Sequence, residues 1–255
     1  MPETEDPTRH FRLDDKVVVL TGASSGLGAQ WATALAGAGA KLVVTARRAP
    51  ELVTVAETVG AVAIPGDLTS EDHRERLVAE TLDRHGRVDV LVNTAGIAAS
   101  APAVRTTPAE LREMIEADLV SVFALTQSVG AAMIAAGRGS VINIASLGAE
   151  RALDRYPLVA YNAAKAGVVA MTRSLAAEWG RFGVRVNAVG PAFFPTRLSG
   201  FLEDPEQVAW IEHHSALGRP GRIDELDGTI IFLASEASSY ITGQHLLVDG
   251  GWSVY

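Results

Sequence analysis

The feature that most constrains this chain is Thr21-Gly-Ala-Ser-Ser-Gly-Leu-Gly28. It follows the apolar run 16–20 directly and opens the alanine-rich stretch 26–38. Glycines at Gly22, Gly26 and Gly28 permit a tight turn, and they let backbone N–H groups approach a pyrophosphate at a helix N-terminus. The spacing differs from Gly-x-Gly-x-x-Gly, and no Gly-Lys-Ser/Thr follows, which disfavours an ATP-binding loop. The bland alternative is an ordinary glycine turn. Against it, strand, loop and helix come in the order that phosphate binding requires.

The rest of the chain repeats that alternation. Short apolar runs at 41–45, 61–64, 88–92, 140–145, 184–189 and 245–248 read as strands. They are separated by helical patterns at 70–85, 108–136, 158–181 and 223–235. Ser70 is placed to cap the first of these; Thr107, Pro108 and Gly137 punctuate the second. Strands that are continuously apolar, without period-two alternation, indicate a parallel sheet covered on both faces. The expectation is therefore an α/β fold: a single-domain, Rossmann-type, doubly wound parallel sheet of about seven strands. Residues 1–12 read as a flexible tail, 13–255 as one domain, and 191–220 as a less regular insert suited to a substrate lid.

Composition narrows the function. A hydrophobic share of 48% with 20% charged residues reads as globular rather than disordered. The formal charge of −8 argues against nucleic-acid binding. No cysteine is available for disulfides or thiolate metal sites. No signal core is seen near the N-terminus, and no apolar run approaches the roughly 18 residues that span a bilayer, so the cytoplasm and no membrane partner are expected. His213 and His214 beside Glu212 lack further ligand spacing, and no metal is expected.

The residues after the second strand bear on the nucleotide. An acid there would bind a ribose 2′-hydroxyl, whereas arginine accommodates a 2′-phosphate. The chain has Ala46-Arg47-Arg48, so NADP(H) is favoured over NAD(H), with Arg47 the first contact and Arg48 the second; two solvated arginines are the alternative. Asp67 is either an adenine contact, with Leu68 beside it, or a turn residue. Asn93-Thr-Ala-Gly96, including Ala95, ends the fourth strand, where a ligand crevice would lie.

Tyr161 and Lys165 are four apart and share one helix face, and Ser146 lies fifteen positions before the tyrosine. A phenol ionises near pH 10 and shuttles protons poorly at neutrality. Bringing one into range takes about 4 kcal/mol, roughly what a cation about 4 Å away supplies at an effective dielectric of about 20. Such a pair can serve as a general acid/base, with Ser146 donating to a substrate oxygen. Lysine occurs only at 16, 41 and 165, so one inside this motif is less readily dismissed as generic surface charge.

Taken together, Thr21–Gly28, Asn93–Gly96, Ser146, Tyr161-x-x-x-Lys165 and Val248-Asp-Gly-Gly251 resemble the short-chain dehydrogenase/reductase family from about residue 16 to the C-terminus. Gly218-Arg-Pro-Gly-Arg222 and Tyr240-Ile-Thr-Gly243 extend the likeness to its 3-oxoacyl reductase-like branch. The resemblance implies a nicotinamide-dependent exchange of a secondary alcohol and a ketone, often in a homotetramer. It implies proton exchange at Tyr161, orientation of the reacting oxygen by Ser146, and a ribose contact from Lys165. The cofactor loop would include Gly22, Ser24, Ser25, Gly26, Leu27 and Gly28, with Pro191 and Thr196 near the nicotinamide.

Asp118 departs from the family pattern, which commonly has asparagine there supporting a proton-relay water; it either keeps a relay with altered pH dependence or is structural. Pro191-Ala192 replaces the usual Pro-Gly. In the insert, Phe193, Phe194, Leu198, Phe201, Leu202, Trp210 and Ile211 either line an apolar pocket or pack a flap. Glu150, Arg151, Asp154 and Arg155 either face substrate or form a solvated loop. Arg138 is the lone positive charge where acyl-carrier reductases present several, which weakens that partner. The expected substrate is a small or medium-sized, partly apolar carbonyl or alcohol. One rival is an NAD-linked sugar, sugar-acid or polyol dehydrogenase. Another is a non-catalytic nicotinamide sensor, which would have no need of Ser146, Tyr161 and Lys165 together. Epimerases and dehydratases that share the tyrosine motif usually carry a longer C-terminal domain.

Overall fold

The computed structural model describes residues 6–196 and 202–254. Seven strands, β1 Val17–Thr21, β2 Lys41–Thr45, β3 Val62–Ala63, β4 Val90–Asn93, β5 Gly139–Ile144, β6 Val184–Pro191 and β7 His245–Val248, form one sheet. Every pairing is parallel. The helices are α1 Gly26–Gly37, α2 Ala49–Val59, α3 Glu71–His85, α4 Pro108–Ile115, α5 Ser121–Ala136, α6 Val159–Trp179, α7 Pro205–His214 and α8 Asp227–Ala234.

Continuous apolar strands follow from two covered faces. On β1, Val18 and Leu20 join Trp31, Leu35, Leu52 and Ile230 in the core beneath α1, α2 and α8. Val19 points the other way, into a second core with Leu77, Leu125, Val129 and Trp179. The sheet order is β3-β2-β1-β4-β5-β6-β7, so the chain winds outward from β1 and then returns to its other side. That reversal opens a crevice at the strand C-termini between β1 and β4. The glycine loop and the 94–96 loop flank it.

Two elements that the sequence pattern hides are ordered helices. The first is α2, rich in Val and Thr and therefore of modest helix propensity, which stops at Gly60 in the left-handed region (φ 68°). The second is α7 within the insert, capped by Asp204, whose carboxylate accepts from Glu206 N–H at 2.9 Å. Inside the stretch read as tail, Pro7–Phe11 forms a 3-10 helix, and the Phe11 ring lies 6.1 Å from Phe232.

The stretch 108–136 is not one α-helix. Thr107 and Glu110 form a reciprocal capping box (2.7 and 3.2 Å) that starts α4. A π-helical turn, Glu116–Val120, then interrupts it before α5. By length and composition Pro108–Ala136 could cross a membrane, which corrects the reading that no run comes close. Here it covers one sheet face and carries a buried aspartate paired with α6.

On α3, Ser70 accepts from His73 N–H at 3.4 Å. The His73 ring is buried, its Nε2 2.9 Å from Thr45 Oγ1 and its Nδ1 3.2 Å from Arg76. Burial, and then the Arg76 charge, hold His73 below its ordinary value of 6.5. The unfolded chain therefore binds a proton that the folded chain refuses. This contribution to stability is complete above about pH 6.5 and is lost as pH falls toward the depressed folded value. Denaturant melts between pH 7.5 and 5 should show a fall in stability that His73→Gln flattens; equal slopes would remove His73 as the cause.

Candidate active site

At the end of β1 the chain turns through Gly22 at φ +69°, where an added Cβ would sit 2.9 Å from the Ala95 backbone. Only glycine lets the two crevice loops close to this distance. Thr21 fixes them further, because Thr94 N–H and Ala95 N–H both donate to its buried Oγ1 (2.9 and 3.0 Å). Gly28 is buried with its Cα against the Gly22 carbonyl, and Leu27 packs on the core behind the loop. Ser25 is the N-cap residue of α1, but its side chain makes no capping bond. The first-turn N–H groups therefore face the crevice without a side-chain acceptor from Ser25, as an anion seat requires.

Arg48 reaches back over this loop. Its Nη2 donates to Ser24 Oγ (3.0 Å) and Ser25 Oγ, while Nη1 lies 3.5 Å from Glu51. Arg47 is largely exposed, 3.9 Å from Asp67. Asp67 closes a turn by accepting from Thr69 N–H and Oγ1 (3.0 Å each). Burial raises the Asp67 carboxyl, but the Thr69 hydrogen bonds outweigh it and hold the group below its ordinary value. The Leu68 side chain is buried in the core, so only its backbone is available there. Asn93 is buried too, donating to Thr126 Oγ1 (2.9 Å) and Asn143 Oδ1 (2.8 Å). Its Nδ2 ties β4 to α5 and β5, while its Oδ1 is buried with no hydrogen-bond partner. Thr94 Oγ1 beside it is buried with no hydrogen-bond partner, a spare polar atom that a dinucleotide could use. Thr196 lies against Gly26, and Pro191 ends β6. A cavity of about 710 Å³ adjoins the outer side of this loop, lined by Gly26, Thr196, Gln30 and Leu202, but not by the groups of the tyrosine motif.

Those groups stand at the C-terminal end of β5. Ser146 caps the 3-10 turn Leu147–Ala149, which packs on α6, and accepts from Gly148 N–H at 3.0 Å. Tyr161 lies in the first turn of α6, with its ring against Met114, Ala160 and Ala164. Lys165 follows one turn on, with Nζ 5.6 Å from the Tyr161 ring centroid and donating to Ile144 O at 3.1 Å. Asp118 completes the cluster from the π turn, its Oδ2 3.0 Å from Lys165 Nζ. Its Oδ1 accepts from Ile97 N–H at 2.7 Å. Gly96 makes room for it, since a Cβ there would fall 2.8 Å from Oδ2. Asp118 is wholly buried and Lys165 is 5% exposed. Burial works against the ammonium, but Asp118, and then Tyr161, outweigh it and hold Lys165 above its ordinary value. The cluster thus holds a fixed cation beside a phenol, next to the 94–97 loop that flanks the crevice.

The insert residues pack mostly on one another. Phe193, Trp210 and Trp252 have ring centroids 4.8–5.7 Å apart, and Ile211 is buried with them. Phe194 joins the core on the other side. Leu198 and Phe201 lie outside the described residues. His214 stacks on Trp252 at 5.0 Å. Glu150 bonds His245 Nδ1 (2.8 Å), and Arg151 donates to Ser253 O (2.7 Å), so both brace the loop. Asp154 accepts from Arg155 N–H, and the Arg155 guanidinium lies 5.7 Å above Trp210. Arg138 is 3.4 Å from Asp89. Sequence reasoning missed the bracing groups Ile97 N–H and Ile144 O, because a backbone group carries no residue signature. Thr21 carried one signal, a hydroxyl at the last position of an apolar strand.

The chain is similar to known proteins over nearly its whole length. A family model described as enoyl-(acyl carrier protein) reductase matches residues 22–253. The chain is 35% identical over 250 residues to a gluconate 5-dehydrogenase of Gluconobacter oxydans (strain 621H), covering 96% of this chain and 97% of that one. It is 36% identical to a galactitol 2-dehydrogenase (L-tagatose-forming) of Cereibacter sphaeroides, covering 96% and 98%. A crystal structure of a gluconate 5-dehydrogenase from Burkholderia cenocepacia J2315 in complex with NADP and tartrate superposes with TM-score 0.93 at 34% identity, over 98% of this chain and all of that one.

Proposed function

Because this chain belongs to the short-chain dehydrogenase/reductase family, we propose that it is an NADP(H)-preferring enzyme whose Tyr161 exchanges the proton of a secondary alcohol or ketone. That it is a nicotinamide-dependent oxidoreductase of CH–OH and C=O groups follows from its relatives. The observation that carries the finer reading is the Lys165 ammonium, charged and buried, 5.6 Å from the Tyr161 ring.

A bound nicotinamide supplies the hydride chemistry. The chain's own groups handle the oxygen. Ser146 Oγ donates to the substrate oxygen and orients it. Tyr161 gives a proton to that oxygen in reduction and takes one in oxidation. Lys165 favours the phenolate form in the oxidising direction and, by family likeness, holds the nicotinamide ribose. The α1 N-terminus and the glycine loop would hold the pyrophosphate, and Thr94 would add a polar contact.

The preference for the phosphorylated cofactor rests on Ala46, which leaves no acid at the end of β2, and on the two arginines beyond it. Arg48, already lying across Ser24 and Ser25, is supported as the stronger 2′-phosphate contact, with Arg47 second. That reverses the order expected from sequence. A charge-assisted hydrogen bond contributes about 1.5–3 kcal/mol. Arg48→Ala should therefore weaken NADP⁺ binding about ten- to hundredfold and NAD⁺ binding far less, as read by fluorescence titration. Equal losses for both nucleotides would retire the assignment.

For the substrate, the packed rings of the insert weaken the case for an apolar wall. The relatives' names put polyols and sugar acids first. Steady-state oxidation of polyols and sugar acids, and reduction of simple ketones, with both cofactors tests the reading. Tight NADP⁺ binding without hydride transfer to or from any member would favour the sensor alternative.

A further inference from the structure

Resting on that reading and deepening it, we propose that Asp118 is a positioning residue that acts through Lys165 to hold Tyr161 in its protonated form, which moves alcohol oxidation toward alkaline pH. Net charge in a largely buried cluster sets the effect. Asp118 Oδ2 is 3.0 Å from Lys165 Nζ, the carboxylate is wholly buried, and the ammonium is nearly so. With the Tyr161 phenol intact, the trio is neutral. Loss of the proton from the half-buried phenol would leave one uncompensated negative charge beside two groups shielded from water, which is costly.

An uncharged side chain at 118 reverses the sign of that cost. The trio would then start at one positive charge, and ionisation of Tyr161 would make it neutral. The first proton of a coupled pair leaves at lower pH when its loss relieves net charge. No other ionised side chain competes for these roles among the described residues. From α6 come Tyr161 and Lys165, and from the π turn Asp118, with Glu116 exposed to water. The 94–97 loop contributes the Ile97 N–H, and β5 the Ile144 carbonyl. Only Asp118 and Tyr161 act electrostatically on Lys165. A merely structural aspartate would be served equally well by an amide, whose oxygen also accepts from Ile97 N–H.

The test needs no substrate. Ultraviolet difference titration of phenolate in the cofactor-free protein isolates Tyr161 when the same titration of a Tyr161→Phe protein is subtracted. We expect Asp118→Asn to move the Tyr161 midpoint down by about one to two pH units. The rise of kcat with pH in alcohol oxidation should move down with it. An unchanged or raised midpoint overturns the proposal. So does a shifted rate profile without earlier phenolate, since the proton would then be leaving Lys165. Should the asparagine variant fail to fold, Asp118→Ser makes the same neutralisation in less volume and keeps an oxygen for Ile97 N–H; it faces the same two outcomes. If the phenolate midpoint falls while no alcohol is oxidised, Asp118 keeps its role and the functional reading is what fails.

Discussion

Replacing Tyr161 with phenylalanine is expected to lower turnover by about 10²–10⁴-fold in both directions, the range a positioned proton donor contributes. The substitution is a narrow one. The ring stays packed against Met114, Ala160 and Ala164, and Lys165 keeps its contacts to Asp118 and Ile144 O. Only the hydroxyl is lost. The glycine loop, Arg47 and Arg48 belong to the β1–β2 side of the crevice, so NADP⁺ affinity should stay within a few-fold of wild type. Stopped-assay turnover at saturating cofactor and a separate binding titration check the two halves. Turnover within about fivefold of wild type would remove Tyr161 from the chemistry; a parallel collapse of binding would show that the variant had lost the site itself.

The parts of this site that the sequence shows are those whose residue type is itself the signal. Gly22 was legible because a positive φ and a close approach to Ala95 admit no side chain. Tyr161 and Lys165 were legible because helical periodicity puts residues four apart on one face. Strand order needed the structure, as alternation predicts a parallel sheet but not on which side of β1 the chain returns. Helix α2 is hidden in the sequence because its Val and Thr residues look like strand or loop, and only the structure shows Leu52 and Ala56 buried beneath it. The role of Asp118 is not legible in the sequence for a different reason. A π turn is not written in helical periodicity, and it is this turn that carries the carboxylate facing Lys165. Sequence does not separate Arg47 from Arg48, because adjacent residues leaving a strand diverge and only the structure shows that Arg48 lies across Ser24 and Ser25.

Lys165→Met is expected to cost stability as well as activity, and the size of that cost separates a buried pair from a surface one. Methionine fills similar volume without charge, leaving Asp118 wholly buried with Ile97 N–H as its remaining donor. Stranding one partner of a buried ion pair typically costs about 3–5 kcal/mol, whereas an exposed pair is worth about 0–1. For a chain of this size that is a fall in Tm of about 10 °C, against about 2 °C or less for a surface contact. The Lys165 side of the balance fixes where to measure. Its folded value is held above the ordinary one, so its contribution is in full force below about pH 10.4 and fades only as pH rises through the folded value. Melts at pH 7–8 therefore read all of it. The double variant Lys165→Met/Asp118→Asn removes both charges and keeps an acceptor for Ile97 N–H, and should recover most of the lost Tm while remaining inactive. If the single variant melts within about 2 °C of wild type, the carboxylate has found another partner or a proton, and the electrostatic account of this cluster is wrong. If the double variant recovers activity along with stability, Lys165 has no part in the reaction beyond neutralising Asp118.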